Sequence, residues 1–180
     1  LNWRTPVMDF HRGLCDFCGR CEQTCPTGAI RDVDAKANRI GLAVIDPQRC
    51  IAWISGSCRV CVDACPYEAL SADASGRPIV DSTRCNGCGI CLTHCPGLAI
   101  VVTDYQYSET EALLKLPYEF SPLPQEGELL AGCNREGEPI VDVKVLRAQR
   151  SANKTHVLWL AVPKEQVDEV RFVRRKEAKA

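Results

Sequence analysis

The sequence predicts an α+β fold in which short β-hairpins and short helices gather around three cysteine runs, followed by a small β-rich C-terminal module. Three observations predict it. Twelve of the thirteen cysteines fall into runs of four, each closed by a Cys-Pro dipeptide and followed at a fixed offset by a small apolar pair. Short apolar stretches bounded by Gly, Asp, Ser and Pro recur between the runs, and such stretches suit strands better than helices. Near the C-terminus, residues 140–147 alternate apolar and charged, the period of a half-buried strand.

The runs themselves come first. Cys15, Cys18, Cys21 and Cys25, followed by Pro26, fit C-x2-C-x2-C-x3-C-P, and so do Cys85, Cys88, Cys91 and Cys95, followed by Pro96. The middle run, Cys50, Cys58, Cys61 and Cys65, has the same body with a longer gap after its first cysteine. Structural zinc usually takes two separated Cys-x2-Cys pairs, whereas four thiols packed this closely suit an iron–sulfur cubane. The long first gap of the middle run also admits a three-iron cluster, but all four cysteines are present and the four-iron form is favoured. The proline after each fourth cysteine fixes φ and removes a donor, turning the chain away. Gly19 and Gly89 are expected to let backbone amides approach sulfur; Arg59 stands at the equivalent place in the middle run and predicts a loop opened differently.

Taken in order, residues 1–14 read as an arm leading into the first run. The apolar pairs are Ala29-Ile30, Ala69-Leu70 and Ala99-Ile100, and residues 42–46 and 78–81 read as strands ending at Arg49-Cys50 and Arg84-Cys85. This recurrence amounts to an internal repeat. Ser108 and Glu111 form a capping-box pattern, so residues 112–116 are expected as a short helix ended by Pro117. Residues 117–127 hold three prolines and read as an extended strap. Strands are expected at 140–147 and 156–162 around a turn at 151–154, one or two helical turns at 164–170, and a last strand at 171–173. The expected division is 1–103 for the cysteine-rich domain, 104–127 for helix and linker, and 128–180 for the β-rich module.

Charge narrows the partners. The formal net charge is -1, and three cubanes at about -2 each move the loaded chain to roughly -7. That disfavours nucleic acid. No stretch has the length and apolarity of a membrane-spanning helix, so no direct membrane insertion is expected. Residues 105–142 carry two basic side chains against eight acidic ones, and residues 143–180 carry ten basic against four acidic. No positively charged apolar leader is visible. Iron-loaded thiols point to a cytoplasmic protein, the alternative being export in folded form to the periplasmic side behind a leader outside this sequence.

At the cysteine runs the chain resembles bacterial [4Fe–4S] ferredoxins and polyferredoxins, over roughly residues 12–103. The gap in the middle run is similar to that of the ferredoxin-type accessory proteins of periplasmic nitrate reduction. The resemblance implies a ferredoxin-like iron–sulfur domain with three [4Fe–4S] clusters as cofactors, and electron transfer as the function. In two-cluster ferredoxins the fourth cysteine of one run serves the cluster of the other. Carried over, Cys50, Cys58, Cys61 and Cys95 would hold one cluster and Cys65, Cys85, Cys88 and Cys91 another. Cys15, Cys18, Cys21 and Cys25 would then close on themselves. The pairing of runs one and three, with run two self-contained, stays open.

The remaining candidates read more plainly. Cys133, on an expected strand, reads as a buried free thiol. His94 reads as a solvated side chain. The apolar insert around Ile51, Trp53 and Ile54 either caps the second cluster against water or forms a docking surface. The basic terminus 171–179 reads as a solvated tail, or as a surface for an acidic partner. No catalytic constellation and no Gly-rich nucleotide loop is present. The expectation is therefore a non-enzymatic electron-transfer subunit, serving a catalytic redox subunit and another electron carrier in a hetero-oligomer of anaerobic respiration. A free polyferredoxin carrier, a zinc-stabilised interaction module and a cluster-assembly protein are the competing readings.

Overall fold

The computed structural model describes residues 19–30, 39–150 and 154–176. The arm at 1–14, Cys15, Cys18 and most of the turn at 151–154 lie outside the described residues. Nine strands and four short helices are described. The helices are α1 (Arg20–Thr24), α2 (Ile51–Ser55), α3 (Val60–Asp63) and α4 (Ile90–His94). The strands are β1 (Leu42–Ile45), β2 (Leu70–Ala72), β3 (Pro78–Val80), β4 (Ile100–Asp104), β5 (Glu111–Tyr118), β6 (Leu129–Cys133), β7 (Pro139–Gln149), β8 (His156–Pro163) and β9 (Phe172–Arg175).

Two sheets result. β2 and β3 make a small antiparallel hairpin, and the other seven strands form one sheet in the order β1-β4-β5-β8-β7-β6-β9. Every strand pairing in it is antiparallel. The cysteine-rich segment thus contributes β1 and β4 to the sheet that the C-terminal residues complete.

The helix expected at 112–116 is instead β5, a central strand paired with β4 on one side and β8 on the other. The capping signature is real but serves a turn: the Glu111 N–H donates to Ser108 Oγ at 2.8 Å, and the Ser108 N–H donates to the Glu111 carbonyl. What decides the outcome is the long-range partner. All eight residues of β5 pair with β8, from Glu111 opposite Pro163 to Tyr118 opposite His156. Pro117 is tolerated because β4 pairing stops at Lys115, leaving that side of the strand free of a ladder. The segment expected to link two domains is therefore part of the sheet.

β5 and β8 are apolar almost throughout because the sheet is covered on both faces. Ala112, Leu114 and Leu116 face a core shared with Val143, Val145, Leu158 and Leu160. Leu113 faces the opposite core, shared with Val157, Trp159, Leu92, Ile100 and the thiols of Cys61, Cys85 and Cys91. β7 keeps the expected alternation: Val143 and Val145 are buried while Asp142 and Lys144 are exposed. Residues 164–169 form hydrogen-bonded turns rather than helix, with the Val170 N–H reaching the Gln166 carbonyl. They pack Val167 and Val170 into the first core. The strap is pinned by Phe120, whose ring meets Tyr118 and Phe172 edge-on at 5.5 and 5.6 Å.

Within the described part of the basic terminus, Arg175 pairs with Glu128 and Lys176 with Asp142, both partners lying in the acidic stretch 105–142. Such exposed pairs add little stability, but they occupy charges that a solvated tail would leave open.

Candidate metal centres

Each thiol is delivered by a small repeated device. Asp46 and Asp81 directly follow β1 and β3, and each carboxylate accepts the N–H two residues on, from Gln48 and Thr83. The same backbone carbonyls accept the N–H groups of Cys50 and Cys85, so the Arg-Cys dipeptides are held by Asx turns. The Asp46 N–H in turn reaches the Ala99 carbonyl, and the Asp81 N–H reaches Ala69. Strand and thiol are fixed together.

The Cys-Pro corner is the second device. Three residues past each fourth cysteine the chain takes a positive φ: Gly28 at 62°, Glu68 at 49° and Leu98 at 49°. The N–H of that residue donates to the cysteine carbonyl in all three runs. One residue further, the Ala69 N–H donates to Cys65 Sγ at 3.4 Å and the Ala99 N–H to Cys95 Sγ at 3.3 Å. Those are the leading residues of the apolar pairs. In the first run the Thr27 hydroxyl, followed by the backbone N–H groups of Ile30 and Thr27, brings the Cys25 thiol down to about 7. Gly19 and Gly89 sit at φ 70° and 83° as the N-caps of α1 and α4. A β-carbon on Gly89 would meet nothing within 4 Å, so conformation rather than space calls for glycine there. Arg59 caps α3 with φ -123°, and Gly56 at 75° ends the inserted α2 upstream. The departure in the middle run is thus the addition of α2.

The thiols converge in two sets. Cys50, Cys58, Cys61 and Cys95 line one cavity with Ile45, Ile51 and Ile100. Cys65, Cys85, Cys88 and Cys91 line a second with Ala43, Leu70 and Ile90. Burial first, then Cys95, Cys50 and Cys58, pushes the Cys61 thiol up to about 11. Burial first, then Cys88, Cys85, Cys61 and Cys65, pushes Cys91 far up. Cys61 and Cys91 therefore each feel the thiols of their own set, and Cys91 also feels Cys61 of the neighbouring one. None of the described cysteines is in a disulfide. Among the described residues no three Cys, His, Asp or Glu side chains converge tightly enough to grip a single metal ion. Four thiols standing around a space rather than a point fit a multi-iron cage better than a tetrahedral zinc. Cys21 and Cys25 of the first run join neither set.

Other sequence candidates fall as follows. Cys133 is fully buried on β6, its Sγ 3.5 Å from the Ala131 carbonyl. His94 is exposed, with Nδ1 2.9 Å from the Ile90 carbonyl. In the insert, Ala52 packs behind Cys50 and Ala99 while Trp53 and Ile54 stay 39% and 69% exposed. Arg77 lies over the Trp53 ring at 4.9 Å. A cleft of about 1140 Å³ lies between the end of β1 and the β6–β7 turn. It mixes Arg49 and Arg171 with Glu119 and Asp168 and contains no thiol. Sequence reasoning missed Lys115, a buried side chain from β5 whose Nζ donates to the Gly87 carbonyl at 2.7 Å. Its only signal was a lysine in the middle of an apolar run. No helix among the described residues is long and apolar enough to cross a membrane.

A model of the 4Fe-4S dicluster domain matches residues 14–69 and, overlapping them, residues 56–99. The chain is 34% identical over 99 residues to the ferredoxin-type protein NapF of Escherichia coli K12, covering 53% of this chain and 59% of that protein. It is 37% identical over 105 residues to the methylamine utilization ferredoxin-type protein MauM of Methylobacillus flagellatus, covering 51% and 45%. It is 34% identical over 92 residues to the polyferredoxin protein MvhB of Methanothermobacter marburgensis, covering 46% and 19%. The chain thus spans about half the length of the first two of these relatives. No solved structure matches it. With the thiol sets falling inside the matched stretch, residues 14–99 carry the match to the 4Fe-4S dicluster domain, and over that stretch the chain is similar to ferredoxin-type 4Fe-4S proteins.

Proposed function

We propose that the chain relays single electrons through three [4Fe–4S] clusters, to or from a catalytic redox subunit, and performs no bond-making chemistry itself. One cluster belongs to Cys50, Cys58, Cys61 and Cys95, one to Cys65, Cys85, Cys88 and Cys91, and one to the first run, Cys15, Cys18, Cys21 and Cys25. A ferredoxin-like arrangement of residues 39–104 is part of the same proposal. The observation that carries it is the exchange of fourth cysteines, since each cavity takes three thiols from one run and one from the other.

When bound, a [4Fe–4S] cluster takes up and returns one electron. The chain's own residues do the rest. Ala69 and Ala99 aim N–H groups at sulfur, which favours the anionic state. Ile45, Ile51 and Ile100 keep water from one set, and Ala43 and Leu70 from the other. Four thiolates per cluster leave no open position for a substrate. Trp53, Ile54 and Val60, exposed beside Cys50 and Cys58, supply a docking face for the redox partner. The relatives' names support the class of function: two are ferredoxin-type proteins and one a polyferredoxin.

Anaerobic purification with metal analysis tests the reading. Brown protein absorbing at about 400 nm with about twelve irons per chain is the expected result. Colourless protein carrying zinc would overturn it. If the loaded protein sediments alone and no redox enzyme co-purifies, the free-carrier reading replaces the subunit.

A further inference from the structure

Lys115 is 1% exposed, and a lysine is almost never fully buried without a specific reason. It lies outside the residues matched to the iron–sulfur family, on the strand that the C-terminal sheet places beneath the third cysteine run. Its Nζ donates at 2.7 Å to the carbonyl of Gly87, inside the loop between Cys85 and Cys88. The same ammonium sits 4.0 Å from the centre of the Trp159 ring. Trp159 is its direct partner across the β5–β8 pair and is itself buried, with Nε1 held by Gln149. A cation over an indole face, away from water, is stabilised as a cation.

The Gly87 loop has no freedom to move off this charge. Gly87 is at φ 79°, and its α-carbon packs so closely on Gly41 that a β-carbon would stand 2.5 Å from the Gly41 carbonyl oxygen. Asn86 donates no slack either: its carbonyl takes the Ile40 N–H, and its Oδ1 takes the Cys88 N–H. Gly87 lines the cavity of Cys65, Cys85, Cys88 and Cys91, so Lys115 stands directly behind that cavity's wall. The cavity of Cys50, Cys58, Cys61 and Cys95 is lined by Ile45, Ile51, Ile100, Pro96 and Gly97, with no charged side chain among the described residues.

We propose that Lys115 is a fixed positive charge that makes the centre framed by Cys65, Cys85, Cys88 and Cys91 more readily reduced than the centre framed by Cys50, Cys58, Cys61 and Cys95. The proposal rests on the electron-relay reading. An arriving electron adds one negative charge, and in a low-dielectric interior a nearby cation favours the more negative state far more than a surface cation does. The step is a one-electron reduction by an external donor; no bond forms or breaks, and Lys115 keeps its proton. The C-terminal sheet then has a task in the relay, which is to carry this charge to the loop.

The test uses the full chain loaded with iron and titrated with dithionite under electron paramagnetic resonance. In Lys115→Met and in Lys115→Gln, the equilibrium constant for reducing one centre should fall at least tenfold, or ~59 mV for one electron, while the other centres shift less than threefold. Lys115→Gln keeps a donor for Gly87, so it separates charge from hydrogen bonding; a Gln variant that titrates like the unsubstituted protein would overturn the proposal. So would equal shifts at every centre, or none. In the unsubstituted protein, the paramagnetically shifted cysteine β-proton signals of Cys65, Cys85, Cys88 and Cys91 should respond to reductant before those of the other set. The reverse order would overturn the proposal even if neither variant folds. Protein that binds no iron would instead overturn the relay reading itself.

Discussion

At Gly87 a β-carbon would stand 2.5 Å from the Gly41 carbonyl oxygen, with φ at 79°; at Gly89 φ is 83° and a β-carbon would meet nothing within 4 Å. The two glycines flank Cys88, and the difference separates two physical roles. Gly89→Ala should cost only the left-handed backbone term, about 1–2 kcal/mol. Gly87→Ala must add to that a displacement of the Cys85–Cys88 loop from Gly41, the residue before β1, which spreads the second thiol set. Iron content and denaturant unfolding of the two variants check this, with Gly87→Ala expected to lose more of both; equal losses would show that conformation alone matters. At this scale the cysteines and their proline corners were legible, because local spacing dictates them. The reason for the small pair after each run was not, since an N–H pointing at sulfur leaves no mark beyond the alanine that makes room for it.

Among the elements, β5 shows where local reading gives out. Ser108 and Glu111 make the hydrogen bond that a helix start would make, and Ala112, Leu113, Leu114 and Lys115 are good helix formers. The strand wins because β8, whose residues pair with β5 from Tyr118 opposite His156 to Glu111 opposite Pro163, offers a full-length partner far along the chain, information that no window around residue 112 contains. β7 was readable because alternation is a local property, and β8 because a short apolar run bounded by turn residues is one too. β5 also divides two cores by parity, which yields a direct test. Leu113 and Leu114 are both buried, on opposite faces. Leu113→Ala and Leu114→Ala should each cost about 2–5 kcal/mol. Leu113→Ala, which loosens the core containing Cys85 and Cys91, should also speed iron loss to a chelator; Leu114→Ala should not. Equal rates of iron loss would mean that the two faces are not separately coupled to the thiols.

Across the whole molecule, the sheet and the cysteine-rich segment bury the thiols of Cys61, Cys85 and Cys91 in one shared core. In the folded chain Cys61 stays neutral well past its ordinary value of 9.0, up to about 11, chiefly by burial and then by Cys95, Cys50 and Cys58. Cys88 and Cys91 move in the same direction, again with burial first. A folded iron-free chain therefore holds protons that the unfolded chain releases. The resulting stability is fully present below pH 9.0 and is lost as pH rises through about 11, because in that window the unfolded state binds fewer protons. Iron loading removes the effect at its source, since ligated thiolates have no proton to give up. Melting curves of iron-free and iron-loaded protein across this range should accordingly diverge: the iron-free midpoint falls with pH, and the loaded one stays closer to level. Parallel curves would show that the clustered thiols are not buried together in the folded chain, and the two cavities would then fail as metal centres.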